Sequence, residues 1–244
     1  MFDGLDDIDW EQFGDCHLGV SMKTKDIPTF VRKLRAEDAE EREYAIQCLL
    51  GEGQHLGLIG DATPAIIPYV LEVLADETYL ERGFIVLGIW LMCENLYRYQ
   101  SISYLRLALR TFDALKQGFP IYKRLLNDME QETRLFTVSV MGFMQDHATE
   151  ALGLLLQRLK IEQDSKVRKE IIERMITLVN NALSPYIGEG IDTLKSMYVY
   201  IKDQATYDEQ LTYVRALDGL HFKHDPEIKD FMTHILTTSS QEKN

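Results

Sequence analysis

Cysteine is scarce in this 244-residue chain, with only Cys16, Cys48 and Cys93. Three is an odd number, and their separation matches no metal-ligand spacing, so neither a disulfide framework nor a Cys-pair metal site is expected. Basic residues are also in short supply: 26 Lys and Arg face 39 Asp and Glu, for a net charge of −13. A field of that sign repels nucleic-acid phosphate and anionic lipid and attracts basic proteins. The expected partner is therefore a protein, with no nucleic acid and no membrane. The most apolar run, FIVLGIWLMC at 84–93, spans ten residues between Arg82 and Glu94, well short of the roughly 20 that cross a bilayer. It reads as a buried helix.

Catalytic signatures are missing too. No Walker loop, paired-glycine dinucleotide fingerprint, nucleophile elbow or Cys-pair metal motif occurs. HFKHDPE at 221–227 groups His221, His224 and Asp225, but Pro226 places that segment at a helix exit, so a solvated turn is expected there. Cys16 and His17 are adjacent and point in different directions in any regular element. The expectation is a non-enzyme without metal or cofactor. The first ten residues, MFDGLDDIDW, are acidic where a secretory signal would be basic and then apolar, and the expected location is the cytoplasm.

Helical periodicity fills almost everything else. Apolar residues recur at three- and four-residue steps over 27–35, 39–51, 64–75, 78–98, 102–117, 118–127, 131–145, 148–160, 165–181, 187–202 and 207–219, with almost no strand alternation. Four segments align around an arginine: DAEEREYAI at 38–46, TYLERGFIV at 78–86, EQETRLFTV at 130–138 and DSKVRKEII at 164–172. Each places a capping or acidic residue four positions before the arginine, giving the pairs Asp38 and Arg42, Thr78 and Arg82, Glu130 and Arg134, and Asp164 and Arg168. Recurrence at roughly 34 to 52 residues is the signature of stacked helix pairs. The side-chain oxygens of Asp38, Thr78 and Asp164 are placed to accept from free amides at a helix start, and Glu130 is a poorer cap. The arginines are expected to reach loop carbonyls or carboxylates of the neighbouring repeat; the competing reading, an anion-binding ladder, is opposed by the net acidity. A fifth candidate, QATYDEQLTYVRALDGL, keeps the helical pattern but lacks the aligned acid and arginine, as a terminal capping repeat would.

These features resemble HEAT repeats, whose pattern has a proline in the first helix, aspartates in the turn and a Val-Arg pair in the second helix. Pro28 and Pro68 sit near first-helix starts, and Val167-Arg168 matches the pair, while Glu41, Glu81 and Thr133 replace the valine elsewhere. The resemblance implies an all-α fold: a right-handed α-α superhelix, or HEAT-like solenoid, of about five helical hairpins. The expected organisation is one domain over 1–244, with an N-terminal cap at 1–26, repeats at 27–220, and a C-terminal cap and tail at 221–244. The first hundred residues resemble a bacterial HEAT-repeat family that begins with an Ile-Asp-Trp segment. GLDDIDWEQFGDCHLG carries that segment, and His55, Gly57, Ala62, Thr63 and Pro68 follow the family's pattern, whereas Leu56 and Gly60 depart from it. Some members resemble immunity proteins paired with antibacterial toxins, which implies neutralisation of a basic toxin domain by direct binding. A general scaffold is the alternative, and HEAT-like enzymes such as DNA glycosylases or bilin lyases would need a basic groove or a tetrapyrrole pocket.

Two regions are candidate binding surfaces. In the acidic N-terminal patch, Asp6, Asp7, Asp9 and Glu11 surround Trp10, so it is read either as a partner hot spot or as a cap sealing the first repeat. Tyr97, Arg98 and Tyr99 in ENLYRYQSISY form a possible aromatic ridge beside a turn. Between them, GEGQHLGLIGDATPAIIPYV at 51–70 reads as a junction: glycines stop one helix, and Asp61 or Thr63 caps the next ahead of Pro64. His55 within it is the remaining candidate contact.

Overall fold

The computed structural model describes residues 2–13, 23–51, 59–98, 102–181, 187–217 and 226–241. Among them every regular element is helical, and the chain forms two compact units, Met1–Val140 and Met141–Asn244. In the first unit, short 3₁₀ turns at Leu5–Asp7, Trp10–Gln12 and Thr24–Asp26 precede α1 (Ile27–Lys33), α2 (Ala39–Leu50), α3 (Thr63–Leu74), α4 (Arg82–Arg98), α5 (Ile102–Lys116), α6 (Phe119–Leu125) and α7 (Gln131–Met141), the last ending at the unit boundary. The second unit holds α8 (Ala148–Ile161), α9 (Ser165–Asn181), α10 (Ile187–Gln204), α11 (Tyr207–Leu217) and α12 (Pro226–Gln241). First helices pack on first helices (α1 on α3, α8 on α10) and second on second (α2 on α4, α9 on α11), the layering of a helical repeat.

The reason is visible in the apolar stripes. Val167, Ile171, Met175 and Leu178 of α9 are fully buried at three- and four-residue steps, so one face of the helix lies inward. The apolar run at 84–93 behaves likewise, burying Ile85, Val86, Ile89, Met92 and Cys93 within α4. No helix among the described residues is long and apolar enough to cross a membrane. Gly88 lets α4 lie close to α2, since a Cβ there would stand 2.8 Å from Leu50 Cδ1. Gly51, at φ 97°, ends α2 in a conformation that disfavours side chains.

The aligned arginines bind the turns together. Arg42 donates to the carbonyls of Ala36 (2.9 Å) and Glu37 (2.7 Å) and grips both oxygens of Glu81 through Nε at 3.0 Å. Arg82 donates to Glu77 O and, at 3.0 Å, to Asp128, and Arg134 to the carbonyls of Asp128 and Met129, each at 2.9 Å. Arg168 repeats the arrangement with Leu159 O (2.8 Å), Glu162 O (3.2 Å) and both oxygens of Glu209. Each guanidinium thus satisfies carbonyls left over at a helix end and closes on a carboxylate about forty residues further along wherever one is described.

The capping expectations hold only in part. Asp164 accepts from the amides of Lys166 (2.9 Å) and Val167 (3.1 Å) as a helix cap does. Asp38 makes no side-chain cap bond. Thr78 lies in the turn, because Asp76 takes its amide (2.9 Å) and hydroxyl (2.6 Å), and α4 starts at Arg82, past the Tyr79 start that the alignment implies. Asp128 plays the same part for the amide of Glu130 at 2.9 Å. Thr63 is the first residue of α3, its hydroxyl accepting from Gly60 N at 2.9 Å rather than capping a later start.

Two C-terminal features went unread. The fifth hairpin does have a counterpart of the aligned pair: Thr206 and Glu209 form a reciprocal capping box, and Gln210 donates to Ile201 O (3.2 Å) and Lys202 O (3.3 Å) where an arginine stands elsewhere. Pro226 opens α12 instead of ending a helix, which suits a residue with no amide to donate in a first turn.

Candidate partner-binding surface

The N-terminal segment folds onto α3. Glu72, the only charged residue of α3, accepts the amide of Phe2 with both oxygens, at 3.1 and 3.2 Å. The Phe2 ring meets Tyr69 edge-on with centroids 6.1 Å apart, and Phe2 has a positive φ of 56°. Between segment and helix lies a cleft of about 410 Å³ lined by Phe2, Asp3, Ile8, Pro68, Tyr69 and Glu72. Its lining is apolar at Ile8, Ala65 and Pro68, aromatic at Phe2 and Tyr69, and acidic at Asp3 and Glu72. Tyr69 is 8% exposed, and burial pushes its phenol above the ordinary value, with the charges of Asp7, Glu72 and Asp6 adding to the shift. The hydroxyl therefore sits in a negative potential, where a cation is favoured.

Five of the residues expected at the binding patch fall in this segment, and they divide. Asp7 and Glu11 are exposed. Asp9 is exposed as well, and its carboxylate accepts from Glu11 N at 3.2 Å, starting the second 3₁₀ turn. Asp6 pairs with Arg32 at the surface. Trp10 is 5% exposed, its indole N–H donating to Leu5 O at 2.9 Å and its ring tilted against Phe13. An anchor for a partner must be reachable, so Trp10 is removed from the contact set: it seals the core beneath the acids. Tyr69 and Glu72 were missed; a lone carboxylate in the otherwise apolar TPAIIPYVLEVL was the one available signal.

Other candidates fall elsewhere. His55 and Tyr99 lie outside the described residues, as do Cys16, His17, His221, His224 and Asp225. Tyr97 and Arg98 end α4, with side chains outside the described set. Among the described residues no group of three His, Cys, Asp or Glu could hold a metal ion. The ladder arginines offer little to an external anion, since Arg42, Arg82 and Arg168 have side chains only 14%, 17% and 13% exposed and already grip carboxylates.

No family model matches the chain, and no curated protein matches it. Among solved structures, an engineered protein aligns over 88% of this chain and 96% of its own at 14% identity, with a TM-score of 0.48. A designed armadillo repeat protein in complex with the peptide (KR)4 aligns over 86% of this chain and 98% of its own, at 14% identity and a TM-score of 0.50. That likeness shows the fold, an all-α armadillo-like helical repeat.

Proposed function

We propose that this chain is a non-enzymatic protein-binding repeat protein whose N-terminal cleft receives a basic segment of its partner. The observation that carries the reading is the cleft itself: about 410 Å³, lined by apolar and aromatic residues with Asp3 and Glu72, and formed in part by a segment that also carries exposed Asp7, Asp9 and Glu11. A lysine or arginine side chain needs an apolar track for its stem and carboxylates or ring faces for its charge, and the cleft supplies both. The designed armadillo repeat protein in complex with (KR)4 supports the reading by example, because a fold of this class holds an alternating Lys-Arg peptide. In its specific form the protein is an immunity-type inhibitor that covers a basic toxin domain; this rests on the resemblance of the first hundred residues and on the charge of −13.

Calorimetric titration with an alternating Lys-Arg octapeptide tests the cleft. Binding should weaken as salt rises, and the pair Asp3→Asn, Asp7→Asn should weaken it about tenfold without unfolding the chain. Equal affinity in the double variant, or no binding at low salt, would sink the assignment. Affinity capture from the source cell then separates the two partner classes: one tight basic protein supports inhibition, and several weak partners support a scaffold.

A further inference from the structure

We propose that the outward face of α5 docks an acidic amphipathic helix of a partner protein, taking that helix's apolar side chains on Leu105 and Leu109 and its carboxylates on Arg106 and Arg110. The basic-segment reading makes no use of this face. It differs from the N-terminal cleft both in place and in the sign of the ligand it selects.

Helix α5, which packs on α3 and α4, has a core stripe without these residues: Ala108, Thr111 and Leu115 recur at three- and four-residue steps and are buried. Leu105 and Leu109 lie off that stripe and are 51% and 57% exposed. Single apolar residues on a surface are ordinary, but these two stand one helical turn apart, and half-buried Phe112 continues their row. The adjoining row holds Arg106 and Arg110, both exposed and neither with an ion pair among the described residues. Asp113, the one carboxylate of α5, is met by Lys116 at 3.3 Å. The face is therefore apolar and locally positive on a chain whose net charge is −13.

This arrangement selects a partner by shape and by sign. Residues four apart on a helix stack into ridges, so the leucines and the arginines make two ridges side by side. A strand turns only alternate residues toward a surface and so presents one row, whereas a helix presents two adjoining ridges and meets both at once. The apolar ridge gains when leucine is covered from water, and the basic ridge gains when Asp or Glu accepts from its guanidiniums. A basic helix would bring cations against Arg106 and Arg110, and the α5 of a second copy would do the same. Acids more than about 8 Å away are screened at physiological salt, so the two guanidiniums on the face decide the sign of its ligand.

The probe is a fluorescein-labelled, alanine-rich peptide of about 18 residues, long enough to hold a helix, with leucines four apart and glutamates in the adjoining row. Its control carries lysine in place of glutamate. Titrated with the full chain at about 0.15 M salt and followed by fluorescence anisotropy, the glutamate peptide should bind saturably and about tenfold more tightly than the control. Arg106→Gln with Arg110→Gln should remove that preference. Leu105→Gln with Leu109→Gln, which keeps helix propensity, should weaken the glutamate peptide about tenfold at unchanged Tm. The proposal is overturned if the glutamate peptide does not bind saturably, if the two peptides bind equally, or if either pair of substitutions leaves affinity unchanged. It also falls if the leucine pair of substitutions lowers Tm by more than about 5 °C, which would make those side chains part of the core. Self-association in sedimentation that the same pair abolishes would overturn it too, because the face would then belong to a second copy. Asp3→Asn with Asp7→Asn, the variant that tests the N-terminal cleft, should keep full affinity for the glutamate peptide, so the two assignments fail separately.

Discussion

The turn ladder and the N-terminal cap use the same kinds of charged residue to opposite ends. At the ladder, carboxylates and arginines meet one another: Glu209 is 2% exposed at its side chain and held by Arg168, and Asp128 is 5% exposed and held by Arg82. At the cap, Asp7, Asp9 and Glu11 are exposed, and Asp6 meets Arg32 only at the surface. Charge that is buried and paired fixes turns, whereas charge that is exposed and of one sign keeps its field in solvent and adds little to the fold. The largest expected effect therefore lies in the ladder. Arg168→Ala should lower stability by about 3–5 kcal/mol in chemical denaturation, because Glu209 keeps its burial and loses its counter-charge. Adding Glu209→Gln should recover part of the loss, and a cost below about 1 kcal/mol in the single variant would place the ladder with ordinary surface pairs.

The cap has a buried part beneath its acids, and the next prediction separates the two. Trp10→Phe removes the indole donor and leaves the Leu5 carbonyl unanswered, so it should cost about 1–3 kcal/mol. Lys-Arg peptide affinity per folded molecule should stay the same; a variant that is stable but binds poorly would return Trp10 to the contact surface.

Acid distinguishes the regions in a third way. Burial alone would push Glu209 up, but the hydrogen bonds from Arg168 and Thr206 outweigh it and hold the carboxyl below its ordinary 4.5. Asp76 is held below its ordinary 3.8 by Thr78 and Arg35. Groups lowered in the native state contribute stability that is complete above those ordinary values and is lost as pH falls through the lowered native ones. Denaturation midpoints should accordingly stay high from pH 7 to 5 and drop below about pH 4. The same profile in Arg168→Ala should be flatter, since its Glu209 no longer has the arginine to lower it.

Most helices were legible because each buries one face, and a buried face writes a 3.6-residue period into the chain. The ladder arginines were legible for a related reason: a local turn geometry recurs, so its sequence recurs. Contacts that join distant segments leave no such mark. Nothing between Phe2 and Glu72 signals that they meet, and whether Trp10 faces water or core depends on the chain folding back over Leu5. Function-preserving substitutions hide positions too. Gln210 donates to turn carbonyls as arginine does, so a search for arginine passes over the fifth hairpin. At Pro226 one residue type signals both a helix exit and a helix start, and only the residues after it distinguish them.

The smallest effect on stability belongs to the residues with the largest expected effect on binding. Asp7→Asn removes an exposed charge that caps no helix and has no ion pair among the described residues, so stability should move by no more than about 0.5 kcal/mol. It should rise slightly at low salt, because Asp7 stands among like charges and the phenol of Tyr69 already feels it. Peptide affinity should fall, and the slope of affinity against salt should become shallower. A loss of stability as large as that from Trp10→Phe would mean that the cap carboxylates serve the fold, as the ladder's do, and the comparison would collapse to a single kind of charge.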